Sequence, residues 1–168
     1  GHIHISKEVL NSKRVDEIWL IVSPQNLFKK SSIILDKNIR INMVNNAVKK
    51  LKNIYSSSVE FKLEKPNYTV NTLNFLSSNN SANNFKIIIG EDNLESFDTW
   101  KDSDFIKKKY ELIVYPRKKK ERSKELFDGK LIKISSTDIR KKIKNKESIK
   151  NLVPRNVEKE ILENGYYS

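Results

Sequence analysis

The chain contains no cysteine. That absence excludes disulfides, thiolate zinc sites and cysteine nucleophiles, and it fits a reducing compartment. No apolar run approaches the length needed to cross a bilayer, and no secretory signal pattern opens the sequence. A cytoplasmic protein with no membrane partner is therefore expected. An initiator methionine is missing as well: the chain begins Gly1-His2, which points to a processed, tagged or truncated product. There is no internal repeat and no linker-like change in composition. Hydrophobic residues make up 37% and run the whole length, so the 168 residues are expected to fold as one domain, 1–168, rather than remain disordered.

Acidic residues are in deficit, with 21 Asp and Glu against 33 Lys and Arg, and the formal charge is +12. Such a surplus suits anionic ligands. Most of the cations are Lys, however, in a background rich in Asn and Ile, which reads as a solvated face more than a nucleic-acid footprint. The densest run, Arg117-Lys118-Lys119-Lys120 followed by Arg122, lacks the interleaved aromatics on which single strands stack. A nucleic-acid partner is not expected; a non-catalytic basic nucleic-acid-binding module stands as the alternative from a different class.

Apolar runs of strand length alternate with helical patterns. Ile18 to Val22 is continuous and apolar, as in a parallel strand buried on both faces. Ile39, Met43, Val44, Ala47, Val48 and Leu51 recur at helical spacing. Val59, Phe61 and Leu63 alternate and predict a strand. Val70, Leu73 and Leu76 mark a helix, Phe85 to Ile89 a strand ending at Gly90, Phe105 to Tyr110 a short helix, and Leu112 to Tyr115 a strand. Leu131 to Ile134 predicts a further strand, with a helix starting at Ser136. A last helix runs from about Pro154 to Glu163, with Pro154 at its first position and Gly165 at its C-terminal cap. The alternation predicts a doubly wound α/β fold with a mainly parallel sheet. Ligands of such folds bind beyond the C-terminal strand ends, which singles out the loops after Val22, Leu63, Ile89 and Ile134.

The most telling loop is Ile134-Ser135-Ser136-Thr137-Asp138-Ile139-Arg140. Two hydroxyl residues at a helix mouth offer side-chain and backbone donors to an anion, and the helix dipole favours negative charge there. Arg140, one turn in, adds a guanidinium suited to phosphate. The same residues also read as an ordinary helix cap followed by a surface Arg. At the start, Gly1 allows close approach to the backbone and His2 opens a helix through Ile3, Ile5, Val9 and Leu10; a single His of this kind is otherwise structural or exposed. His4 is given no role. In Ser23 to Lys30, Lys29 or Lys30 reaches a phosphate or lies on a basic surface loop. Thr69 is a candidate N-cap with donors for a carboxylate, or a cap and nothing more. Gly90 and Asp92 end a buried strand, where an acidic side chain holds ribose hydroxyls in comparable folds. Trp100 stacks on a ligand ring or plugs the core.

Together these loops resemble the bacterial nicotinate-nucleotide adenylyltransferases, and the resemblance spans nearly the whole chain. Ile134 to Arg140 matches the ISSTxIR signature of nucleotidyltransferases that carry an HxGH motif. Gly1-His2-Ile3-His4-Ile5 looks like the tail of GxFxPxHxGH. Pro24-Gln25-Asn26 with Phe28 and Lys29 resembles PxNPxK, with Leu27 where Pro is usual, and Arg40 with Met43 resembles R-x-x-M. Tyr68 to Leu73 resembles YTxDTL, with Asn71 in place of Asp. Ile88 to Leu94 and Trp100 resemble IIGxDxL followed by W, and Asn164-Gly165-Tyr166-Tyr167 closes the match. The tyrosine-threonine loop, the asparagine-lysine loop and the tryptophan indicate the nicotinate branch; phosphopantetheine adenylyltransferases share the fold and the signature.

The resemblance implies transfer of AMP from ATP to nicotinate mononucleotide, giving nicotinate adenine dinucleotide and pyrophosphate, with ATP as substrate and Mg²⁺ bridging its phosphates. It implies that His2, Ser136 and Arg140 hold the phosphates, His2 and Arg140 acting on the reacting groups, with Ser135 shaping the clamp and Lys29 facing the phosphates. Gly90 and Asp92 would meet ribose or adenine, Thr69 the nicotinate carboxylate, and Trp100 the pyridine ring. No protein metal ligand is implied, and a homo-oligomer is left open. One departure stands out: the family's first strand, its glycine-rich turn and its first histidine precede the position of Gly1. The chain as written is therefore expected to be inactive or poorly folded, and its full-length parent active.

Overall fold

The computed structural model describes residues 1–24, 35–117, 126–132 and 134–168. Along the chain come α1 (His2–Asn11), β1 (Ile18–Ile21), α2 (Lys37–Val48), β2 (Ile54–Ser57), α3 (Thr69–Asn79), β3 (Lys86–Gly90), α4 (Glu91–Leu94), α5 (Ser103–Lys109), β4 (Glu111–Tyr115), α6 (Ser136–Lys144) and α7 (Arg155–Glu163). Strands and helices alternate and both strand pairs are parallel, so the fold is α/β of the Rossmann-like kind. The residues form two compact units, Gly1–Phe61 with Ile134–Ser168, and Lys62–Lys133.

In the first unit β1 pairs with β2, Ile18 opposite Ile54 and Ile21 opposite Ser57. The ladder is extended by the N–H of Ile18 to the Asn53 carbonyl (2.8 Å) and by that of Val22 to Ser57 (2.9 Å). This register overrides the predicted strand over Val59 to Leu63. The Ser57 hydroxyl accepts from the N–H of Val59 at 3.3 Å. The N–H of Phe61 returns to the Ser58 carbonyl, and Val59–Phe61 closes into a 3₁₀ turn. Short hydroxyl side chains compete for backbone groups in this way and end strands. α2 starts at Asp36, whose carboxylate accepts from the N–H of Asn38 at 2.8 Å. α6 and α7 share a core of Ile143, Ile149, Val157 and Ile161, against which Met43, Ala47, Tyr166 and Tyr167 pack. Val157 and Ile161 are one helical turn apart, which puts both on the buried face of α7.

In the second unit β3 and β4 pair from Lys86 opposite Glu111 to Gly90 opposite Tyr115. The Lys86 ammonium meets the Glu111 carboxylate at 2.7 Å, a cross-strand pair that matches this register. Val70 and Leu73 of α3 pack with Ile89, Phe97, Ile106, Tyr110 and Val114 into one core. The predicted strand over Leu131 to Ile134 is absent among the described residues. β4 is followed by one isolated parallel bridge, Val114 to Leu126. The N–H of Gly129 then turns back to the Phe127 carbonyl at 2.9 Å, and the buried Tyr115 hydroxyl donates to the Lys130 carbonyl at 2.8 Å. A side chain thus satisfies the Lys130 carbonyl just before the segment where a strand was expected. The described residues therefore hold two two-stranded parallel sheets.

Candidate active site

In the first unit two helix mouths lie side by side. Gly1 precedes α1, and a Cβ added to it would lie 3.8 Å from the Ile134 carbonyl oxygen, just ahead of α6. The start of α1 thus lies beside the residue that precedes the Ser135 cap of α6. Ser135 is the N-cap of α6 and forms a capping box with Asp138. Its hydroxyl accepts from the Asp138 N–H at 3.2 Å and donates to the Asp138 carboxylate at 2.6 Å, while its own N–H donates to the same carboxylate at 2.9 Å. These bonds hold the Asp138 carboxyl below the usual carboxylate range, the Ser135 hydroxyl first, then its backbone N–H, then the charges of Lys141 and Lys142. Ser135 therefore shapes the mouth. The helix leaves the N–H groups of Ser136 and Thr137 without intrahelical partners, so these remain as anion donors.

Arg140 stands half-buried one turn along. Its guanidinium reaches the Thr137 hydroxyl at 3.4 Å and lies 6.0 Å from the centre of the Tyr167 ring. Arg40 of α2 donates to the carbonyls of Ser23 (2.7 Å), Pro24 (3.1 Å) and Leu35 (2.9 Å). It ties together the described residues on either side of 25–34. Lys29 lies within 25–34, outside the described residues.

In the second unit Gly90 and Asp92 are adjacent at the end of β3. A Cβ on Gly90 would collide with the Asp92 carboxylate and would come within 3.0 Å of the Arg117 Nε. Arg117 Nε stands 3.4 Å from Asp92 Oδ1, and the Arg117 backbone N–H donates to the buried Glu91 carboxylate at 3.0 Å. In the sequence Arg117 heads a basic run; the structure ties it to the strand-end acids. An Arg that follows a buried strand directly, at the level of Gly90 and Asp92 on the neighbouring strand, was the available signal.

Thr69 is the first residue of α3, not its cap. Tyr68 holds the cap position and makes no side-chain capping bond. Tyr68 itself is extended, its N–H turns back to the Pro66 carbonyl at 2.9 Å, and the Thr69 N–H is one of the donors left over at the helix start. Trp100 belongs partly to the core and partly to an opening. Its ring stacks on the fully buried Phe97, centroids 4.8 Å apart and planes inclined by 30°. Its side chain also lines a cavity of about 610 Å³ with Val70, Asn74, Asp102, Asp104 and Phe105. Thr69 directly precedes one wall of that cavity, so the structure brings the start of α3 and Trp100 together.

Residues 1–142 match the cytidylyltransferase-like family. Within that class the chain is 39% identical to the probable nicotinate-nucleotide adenylyltransferase of Cytophaga hutchinsonii, covering 100% of this chain and 91% of that one. It is also 39% identical to the one of Christiangramia forsetii, covering 99% and 91%. In fold it is similar to the Plasmodium falciparum nicotinic acid mononucleotide adenylyltransferase solved with NaAD, at a TM-score of 0.76 and 15% identity, covering 99% of this chain and 89% of that one. The chain belongs to the nicotinate-nucleotide adenylyltransferase family. None of its described helices is long and apolar enough to cross a membrane.

Proposed function

We propose that the protein transfers AMP from ATP to nicotinate mononucleotide, giving nicotinate adenine dinucleotide and pyrophosphate in NAD biosynthesis. The observation that carries the reading is the mouth of α6, where the Ser135–Asp138 box leaves the Ser136 and Thr137 N–H groups free of the helix and Arg140 stands one turn behind. The 5′-phosphate oxygen of the acceptor forms its bond to the α-phosphorus as the bond to the pyrophosphate oxygen breaks. No covalent enzyme intermediate is needed, so the protein's work is positioning and neutralising charge. The family match, residues 1–142, runs through both compact units, which supports reading 1–168 as one nucleotidyltransferase domain.

By the family resemblance we assign His2, Ser136 and Arg140 to the triphosphate, with Ser135 holding the mouth of α6 in shape. By the same resemblance we assign Gly90 to close approach of the backbone to the nucleoside and Asp92 to its ribose hydroxyls. Trp100 offers its ring to the pyridine. The nicotinate carboxylate belongs at the start of α3 by Thr69, where the helix dipole favours an anion, and away from Asp102 and Asp104, which line the same cavity and repel one. Among the described residues no group of three or more His, Cys, Asp or Glu is placed to hold a metal ion. By the family resemblance we read Mg²⁺ as part of the substrate, carried on the ATP phosphates, where few protein ligands are needed.

The test is pyrophosphate release from ATP with three acceptors: nicotinate mononucleotide, nicotinamide mononucleotide and phosphopantetheine. Nicotinate mononucleotide is expected to give the highest kcat/KM. A preference for the amide would overturn the Thr69 assignment, and a preference for phosphopantetheine would overturn the whole reading.

A further inference from the structure

After α7 the chain turns back sharply. Gly165 takes φ +63°, and the N–H of Tyr166 returns to the Ile161 carbonyl at 3.0 Å, the bond that closes a Schellman motif. Tyr167 follows at φ +68°, in the left-handed region that a large aromatic residue rarely adopts. An unfavourable backbone of this kind persists only where the surroundings hold it. Here the ring is seated against the Ile143, Ile149, Val157 and Ile161 core, and its outer side meets the Arg140 guanidinium at 6.0 Å. Burial pushes the phenol up from its ordinary value, while Arg140 and Arg40 both pull it down. The hydroxyl thus lies within electrostatic reach of the two guanidiniums. Among the described residues Arg140 has one other side-chain partner, the long bond to Thr137 at 3.4 Å.

We propose that Tyr167 is a positioning residue for Arg140: its ring holds the guanidinium at the mouth of α6, so that ATP meets an arginine already aimed at its phosphates. A long side chain loses rotamer freedom when it grips a ligand, and a stack formed beforehand lowers that cost. Cation–π attraction supplies the hold, and it needs the ring face rather than the hydroxyl. The proposal rests on the assignment of Arg140 to the ATP phosphates.

The experiment compares Tyr167→Leu, Tyr167→Phe, Arg140→Ala and the Arg140→Ala/Tyr167→Leu double variant, with KM and kcat measured for each substrate and melting temperature alongside. Tyr167→Leu should lower kcat/KM for ATP by about five- to tenfold and leave the acceptor KM unchanged. Tyr167→Phe should restore ATP use to within about twofold, because it keeps the ring. On the Arg140→Ala background, Tyr167→Leu should cost nothing further, the mark of two residues acting as one unit. The proposal is overturned if Tyr167→Leu uses ATP like the parent, if both substrates suffer equally, or if the loss persists without Arg140. Normal ATP use by Arg140→Ala itself would overturn the parent assignment and this inference with it; impaired Arg140→Ala beside normal Tyr167→Leu would overturn this inference alone.

Discussion

Ser135 and Asp138 bind each other three ways at the start of α6, through two bonds to the Asp138 carboxylate and one from its N–H. The carboxyl is held below its ordinary range by that contact. A carboxyl depressed in the folded state contributes stability that is present above its unfolded value and lost as pH falls through the folded one. Thermal melts followed from pH 7 down to pH 2 should therefore show an acid limb that is shallower in Asp138→Asn than in the parent. At neutral pH, Ser135→Ala should lower the melting temperature by about 2–4 °C through loss of the cap. Unchanged melting at both ends of the range would show that the box does not hold the helix mouth.

Arg140 is half-buried, and its guanidinium lies 6.0 Å from the centre of the Tyr167 ring. Removing a guanidinium that grips phosphate removes a charge-assisted contact, about ten- to a hundredfold in kcat/KM for ATP. Arg140→Ala should show that loss while melting within about 2 °C of the parent, since no large apolar side chain is removed. A substantial fall in melting temperature without a selective ATP defect would mark Arg140 as a strut of the fold.

The helix mouths were legible because their signals are local. Ser135, Asp138, Ile139 and Ile143 give a cap and an apolar stripe within nine residues, and α6 forms where they predict it. Val70, Leu73 and Leu76 did the same for α3, and all three are buried. The two misplaced strands were decided at longer range. The choice of Ile54–Ser57 over Val59 to Leu63 depends on which carbonyls β1 can reach. At Leu131, Ile132 and Ile134 no strand forms among the described residues, and the nearby Lys130 carbonyl accepts from the Tyr115 hydroxyl. Arg117 and Tyr167 were missed for a related reason. A charge run and a terminal aromatic pair look like surface until the backbone places one beside Asp92 and turns the other onto Arg140.

Trp100 shares its ring between Phe97 and the cavity. Stacking of an aromatic ring on a heteroaromatic ligand is worth about a five- to hundredfold change in binding. Trp100→Ala should thus raise the KM for nicotinate mononucleotide by roughly tenfold and move the ATP KM by less than about twofold. Trp100→Phe should fall between. Steady-state kinetics with each substrate varied in turn decides it; an unchanged acceptor KM in Trp100→Ala would remove the stacking role and leave a core residue.

Gly90 tests the nucleoside end of the site by sterics alone. Its φ of −75° suits any residue, so alanine there brings no backbone strain. What an added methyl meets is the Asp92 carboxylate and, at 3.0 Å, the Arg117 Nε. Both are ends of flexible side chains, and Asp92 is 59% exposed, so the carboxylate can swing into water. The fold should tolerate the change, with melting lowered by less than about 3 °C. The function should not. If Asp92 holds the ribose as proposed, displacing it turns its acceptor oxygens away, and the ATP KM of Gly90→Ala should rise about three- to tenfold. Because the methyl acts through Asp92, the Gly90→Ala/Asp92→Ala double variant should be no worse than Asp92→Ala alone. If the two effects add instead, Gly90 is serving close approach of the nucleotide to its own backbone, independent of the carboxylate.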